Sequence, residues 1–321
     1  MAKTSDIGRR IKSVNNIKKI TKAMEMVAAA KMRRAVEAVL KTRTYANLSW
    51  ETVLNLARQS AESQEPLHPL LVKRPIVKRV AVVIIASNRG LCGGFNSSLL
   101  NKVRQSIKKH ETGEIDTVQT EFIILGKKSE VVARWGYEIA AQFPKYDVAG
   151  GVGDILPAAR LLKEKFLSGY YDKIMVAYND FISAAKQVPR VRQLLPVEID
   201  TKDEFLGVVG KNPKLETKKD FIAEKSKAHL SDNGYRYEYL FEPNRAEVLN
   251  KMLPRLIEVQ LYQSLLESDA SEHSARMSTM HQAQTAAGDM VSELTLFYNK
   301  ARQAGITAEI AEISAGTNEV D

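Results

Sequence analysis

MHQAQTAAGDMVSELTLFYNKARQAGITAEIA, residues 280–311, carries Met280, Ala283, Ala287, Met290, Leu294, Phe297, Ala301, Ala304, Ala308 and Ala311 in a 3,4,3,4 rhythm. That spacing is the seam of a coiled coil, which predicts a long helix with one face turned to a partner helix. The distal seam positions are alanines. Alanine lets two helix axes approach closely but buries little, each missing methylene forfeiting about 0.8 kcal/mol. Such a pair is expected to be weak alone and to need a sheath of other chains. Pro254 is expected to kink the start of this helix, and Gly305 costs it about 1 kcal/mol relative to alanine.

A partner helix stands at the other end of the chain. From Ser5, which fits an N-cap, to about Ser60 there is no proline, and the only glycine is Gly8. Ile7, Ile11, Val14, Ile17, Ile20, Met24 and Val27 recur at threes and fours, so they form one narrow stripe. At 1.5 Å per residue the helix would be roughly 85 Å long. The expected fold class is therefore α/β plus a long antiparallel α-helical coiled coil of the two terminal helices. Its boundaries are 1–62 and 244–321, with a Rossmann-like α/β domain over 76–197 and a polar, Lys-rich insertion over 198–233.

Within the central domain, RVAVVIIAS reads as a buried strand, followed by the turn NRGLCGG and a helix from about Asn96 to Lys109. Strand EFIILG, helix KKSEVVARWG, strand YEIAAQF, helix DILPAARLLKEKFLSG and strand DKIMVAYND follow. Strands alternating with helices imply a mainly parallel sheet. The glycines at 90, 93 and 94 do not give the dinucleotide spacing, and LGKKS has Glu121 where a phosphate loop requires glycine. The single cysteine, Cys92, excludes an intramolecular disulfide and fits a buried packing role. Five scattered histidines give no metal spacing, and no triad or paired carboxylates suggest catalysis. No stretch approaches the roughly 20 apolar residues of a membrane span, and the N-terminus lacks a secretory pattern.

The net charge of +9 is localised, because residues 1–45 hold twelve Lys and Arg against Asp6, Glu25 and Glu37. A basic helix suits an acidic protein, an anionic membrane surface or nucleic acid. With one aromatic, Tyr45, and no reading motif, nucleic acid is the least suited. Long solvated helices are also often Lys-rich with no partner at all. Three functions are thus open: a mechanical subunit, a free coiled-coil adaptor, and a nucleotide-binding enzyme using the α/β domain.

IKSVNNIKKITKAMEMVAAAKMRRA (11–35), NRGLCGGFN (88–96), SEHSARMSTM (271–280) and YNKARQAGITAEIAEISAG (298–316) closely resemble the γ subunit of bacterial F-type ATP synthases. The resemblance covers both termini and the central domain. It implies a non-catalytic rotor shaft, with the coil inside an α3β3 ring, the α/β domain touching ε and the c-ring, and no cofactor. A peripheral place on the cytoplasmic face of the bacterial inner membrane goes with it. By motif match, Lys18, Lys22, Met24, Arg302, Gln303 and Thr307 are expected to contact β, and Tyr239 and Glu242 to face the ring and ε. Asn88, Gly305 and Thr317 depart from the family pattern. The insertion lacks the cysteine pair of chloroplast forms, which excludes their thiol control.

Overall fold

The computed structural model describes residues 4–62, 68–111, 118–197, 242 and 244–317. The insertion and Tyr239 lie outside them. Two compact units divide the chain, Met1–Ala29 with Arg276–Asp321, and Ala30–Ala275. Both long helices contribute to each unit: α1 spans Thr4–Glu62 and α4 spans Arg245–Thr317, continuing helically through Pro254.

The second unit is built on five strands: β1 (Arg79–Ile85), β2 (Gln119–Leu125), β3 (Glu138–Phe143), β4 (Lys173–Ser183) and β5 (Lys186–Leu195). They lie in the order β3-β2-β1-β4-β5, with every pair parallel except the β4–β5 hairpin. Between them run α2 (Phe95–Glu111), a 3-10 segment (Lys127–Trp135) and α3 (Leu156–Leu167). Successive side chains of a strand point to opposite faces. Ala81, Val83 and Ile85 therefore pack with α3, with Ala35 and Val39 of α1, and with the Leu249–Ala270 section of α4. Val82 and Ile84 meet Leu99, Val103 and Ile107 of α2 together with Val132. Three layers around a mainly parallel sheet agree with the Rossmann-like expectation.

Two elements depart from it. KKSEVVARW forms 3-10 turns rather than an α-helix, and KQVPRVRQLL, which shows no apolar alternation, forms the antiparallel β5. Its Pro189 cannot donate to a ladder, and the position of β5 at the sheet edge is where that is tolerated.

The ends of β1 and β2 come together at Gly126. Ala86 N donates to Leu125 O and Lys128 N to Ser87 O, both at 2.9 Å. Gly126 has φ +95°, and a Cβ there would lie 2.1 Å from Ala86 O. Backbone cannot yield as a side chain would, so left-handed strain and overpacking add. Gly126→Ala is expected to lower the stability of the full chain by roughly 3 kcal/mol, read from the midpoint of denaturant unfolding. A loss below about 1 kcal/mol would contradict this packing.

Candidate interaction surfaces

The unit of Met1–Ala29 and Arg276–Asp321 pairs the two terminal helices antiparallel. A Cβ on Gly8 would meet the Tyr298 ring at 3.7 Å, one on Gly288 would meet Lys18 Nζ at 3.3 Å, and Glu25 Oε1 lies 3.3 Å from His281 Nδ1. Advancing 17 residues along α1, from Gly8 to Glu25, thus retreats 17 along α4, from Tyr298 to His281. Each helix offers a glycine to a large side chain of the other, which lets the two axes come close at those points.

The inward positions on α1 are Ile7, Gly8, Ile11, Val14, Asn15, Lys18, Thr21, Met24, Glu25 and Ala28; on α4 they are Met280, Ala283, Gln284, Ala287, Gly288, Val291, Leu294, Tyr298 and Ala301. This corrects the periodic reading at several places. Met280, Ala283, Ala287, Leu294 and Ala301 hold the seam, but the intermediate knobs further along are Val291 and Tyr298 rather than Met290 and Phe297, which point outward. Ile17, Ile20 and Val27 are likewise exposed, and beyond Ala301 the described positions to Ala311 all face out. Apolarity alone misassigned them, because glycine-to-large-residue complementarity, not side-chain hydrophobicity, sets the register.

The outer surface of this unit is consequently apolar in an unusual degree. Ile20 is 59% exposed, Leu296 69% and Ile310 59%, with Ile17, Met26, Val27, Met290, Phe297 and Ile306 about half exposed or more. Exposed large apolar side chains mark an interaction site where they cluster. A polar contact also bridges the two helices at their surface. Burial disfavours ionisation of Glu25, but hydrogen bonds from Lys22 at 3.2 Å and from His281 outweigh it and hold the carboxyl below its usual range. Thr21 Oγ1 donates back to Ile17 O and Lys18 O.

The residues expected to meet a partner are distributed along this pair. Lys18 is half-buried against Gly288, Met24 is half-buried, and Lys22 is exposed and ion-paired with Glu25. Arg302, Gln303 and Thr307 are exposed on α4, Thr307 Oγ1 donating to Gln303 O at 2.9 Å. Arg302 is 14 residues beyond the Gly288 that faces Lys18, roughly 21 Å along the axis, so the six do not converge on one spot. Glu242 is exposed.

In the α/β unit, the glycine-rich turn follows β1. Cys92 is buried, its Sγ 3.4 Å from the Asn96 amide nitrogen, as a packing role requires. Leu91 is 60% exposed at φ +62°. Asn88 Nδ2 donates to Lys145 O at 2.6 Å, tying this turn to the segment after β3. That segment holds a cluster which sequence reading missed. The fully buried Lys145 Nζ lies 2.6 Å from Glu272 Oε2 and 2.8 Å from Asp269 Oδ1. Acids at i and i+3 within the sheet-packed part of α4 were the available signal. Among the described residues no group of His, Cys, Asp and Glu could hold a metal ion, and no helix is long and apolar enough to cross a membrane.

A long helix pair that exposes large apolar side chains, carried on a three-layer α/β unit, defines a class of protein whose helices present surface for other chains to cover. Comparison with known proteins narrows this. A family profile described as ATP synthase matches residues 3–320. ATP synthase gamma chains of Desulfosudis oleivorans and Herpetosiphon aurantiacus are each 39% identical, and that of Legionella pneumophila strain Corby 34%, over 98% of this chain and 98–99% of theirs. A chain in the Euglena gracilis mitochondrial ATP synthase (OSCP/F1/c-ring, rotational state 3) superposes at TM-score 0.60 with 16% identity, covering 99% of this chain and 94% of that one. One in the Tetrahymena thermophila mitochondrial central stalk/c-ring does so at 0.54 with 22% identity, covering 82% and 99%. The chain belongs to the ATP synthase gamma chain family, and so is a subunit of an enzyme complex.

The close-packed seam generates a direct expectation. Ala28 is 1% exposed. Ala28→Leu should overpack it and lower the stability of the pair by roughly 1–3 kcal/mol. Gly305→Ala, with open space around it, should instead raise it by up to about 1 kcal/mol. Thermal unfolding followed by helical circular dichroism reads both, and a neutral Ala28→Leu would contradict the seam.

Proposed function

We propose that the chain is the non-catalytic central shaft of a bacterial F-type ATP synthase, turning inside an α3β3 ring to couple ion flow to ATP synthesis or hydrolysis and to regulate the ATPase. The observation that carries this reading is the set of large apolar side chains exposed on the outside of a helix pair whose narrow seam mixes aliphatic residues with glycine, alanine and polar side chains. Burying an isoleucine or leucine is worth roughly 1.5–3 kcal/mol, and nine large apolar residues of this unit await a partner. A free adaptor would have to keep that surface in water, and an enzyme would leave it without a use.

The pair is also asymmetric. α1 carries the cations, with Lys19, Lys22, Arg33 and Arg34 exposed, whereas the exposed part of α4 from Met290 to Ile310 is rich in apolar groups. Three identical catalytic β subunits around such a shaft each meet a different face. Contacts that differ between the conformations of β can favour one of them at each site, and rotation permutes the assignment. The basic face calls for an acidic element on β. Lys22, Arg302, Gln303 and Thr307 can reach such a partner directly; Lys18 and Met24, half-buried in the seam, would hold the helix that presents Lys22. Glu242 and Tyr239 would face ε and the c-ring, and the complex would lie peripherally on the cytoplasmic face of the membrane.

Ile20→Asp combined with Leu296→Asp tests the surface without touching the seam. Both residues are exposed, so helical content and melting temperature should stay within error. Co-purification with α and β and ATP-driven ion pumping should fall several-fold or more. Unchanged assembly and pumping in a folded double variant would overturn the reading.

A further inference from the structure

The loops that follow β1, β2 and β3 leave the same edge of the sheet, because these strands are parallel and put their carboxyl ends together. Between them lies a cavity of about 510 Å³ lined by all three: Asn88 and Arg89 after β1, Gly126 and Lys127 after β2, Lys145 and Asp147 after β3. Its size falls within the roughly 300–1,000 Å³ of small-molecule sites. The crevice outside the carboxyl ends of an open parallel sheet is also where such folds hold ligands. The walls are tied together. Asn88 Nδ2 donates to Lys145 O at 2.6 Å while Asn88 Oδ1 accepts from Lys127 N at 3.2 Å, so one side chain joins the three loops. Ser87 Oγ donates to Arg89 O at 2.8 Å, which fixes the backbone beneath the arginine.

The lining is cationic. Arg89, Lys127 and Lys145 stand in it against one acid, Asp147. Lys145 is committed to Asp269 and Glu272. Asp147 pairs with Lys31 of α1 at 2.7 Å, and that hydrogen bond, with the charge of Arg89 adding to it, holds the carboxyl below its usual range. Glu130, an acid that reaches a lining residue, accepts from Gln142 Nε2 at 3.0 Å. Arg89 and Lys127 are exposed, on neighbouring loops. A guanidinium fork with a lysine point charge is a donor set suited to a phosphate group. Phe143 and Pro144 supply an apolar stretch of wall.

We propose that this cavity binds a small molecule through a phosphate group held by Arg89 and Lys127, the group belonging either to a nucleotide whose base lies against Phe143 and Pro144 or to free phosphate. Side-chain cations do the holding, so the site needs neither the dinucleotide glycine spacing nor a phosphate loop, both of which the sequence lacks. It goes beyond the rotor reading and does not depend on it, since it concerns the α/β unit alone.

The test titrates the full chain, labelled with nitrogen-15, with ADP, pyrophosphate and orthophosphate at low salt. The amide resonances of Asn88, Arg89, Lys127 and Asp147 should move together and saturate. Arg89→Gln and Lys127→Gln should each weaken binding about tenfold or more. Both side chains are exposed, so the variants should melt close to the parent. ADP binding clearly tighter than pyrophosphate identifies a nucleotide and equal affinity identifies the inorganic ion; either supports the site. No saturable movement at these amides up to about 10 mM ligand, movement confined to the basic residues of α1, or binding indifferent to both substitutions would each overturn it. If a variant does not fold, the amides that move in the parent still decide.

Discussion

The constraint on which the rest depends is the closeness of two helix axes. Gly8 under Tyr298, Gly288 under Lys18, and Ala28 and Ala287 in between keep the seam narrow, so that Ile7, Ile11, Val14, Val291 and Leu294 are only half-buried in it. Further large apolar residues on these helices, Ile20, Leu296 and Ile310 among them, lie outside. In a soluble monomer that would be a fault, since exposed aliphatic surface promotes association. In a shaft it becomes the bearing surface. The same closeness limits how much the pair can stabilise itself, so its order depends on what surrounds it. A narrow seam thereby links sequence composition to assembly, and assembly to function.

Further along, the same two helices change character. In the α/β unit, α4 turns Leu249, Leu253, Leu256, Leu261 and Leu265 onto the sheet, and α1 contributes Ala35 and Val39. Packing there is ordinary three-layer burial, worth far more per residue than the seam. Several buried polar residues there are partnered. Ser268 Oγ donates to Ile85 O, Ser271 Oγ to Asn179 O, and Lys145 serves two acids. Arg190 Nε stands 2.6 Å from Asp180 Oδ2 without hydrogen-bond alignment, an ionic contact that pins the β4–β5 hairpin. One helix can therefore serve two purposes: its Leu-rich section anchors, and its Ala- and Gly-rich section stays slender.

Much of this was legible in the chain. Heptad spacing announced the long helices, and the continuous apolar runs of β1 and β2 announced a parallel sheet, because those strands are covered on both faces. Seam register was not legible, since Met290 against Val291 and Phe297 against Tyr298 satisfy the 3,4 rhythm equally. Only the opposing glycines discriminate, and they lie 280 residues apart in sequence. β5 was missed because Pro189, Arg190 and Arg192 mask its edge-strand role. The charged cluster was missed because Lys145 and its acids are more than 120 residues apart. Of the expected contact residues, the exposed Lys22, Arg302, Gln303 and Thr307 keep their availability, while Lys18 and Met24 are partly withdrawn into the pair.

Hydrogen exchange over residues 4–29 and 276–311, compared between the isolated chain and the chain reconstituted with α and β, tests the central claim most directly. A pair that relies on a sheath should exchange readily alone and become strongly protected in the complex, while β1, β2 and β4 are protected in both. Strong protection of both helix segments in the isolated chain, or no gain on assembly, would contradict it.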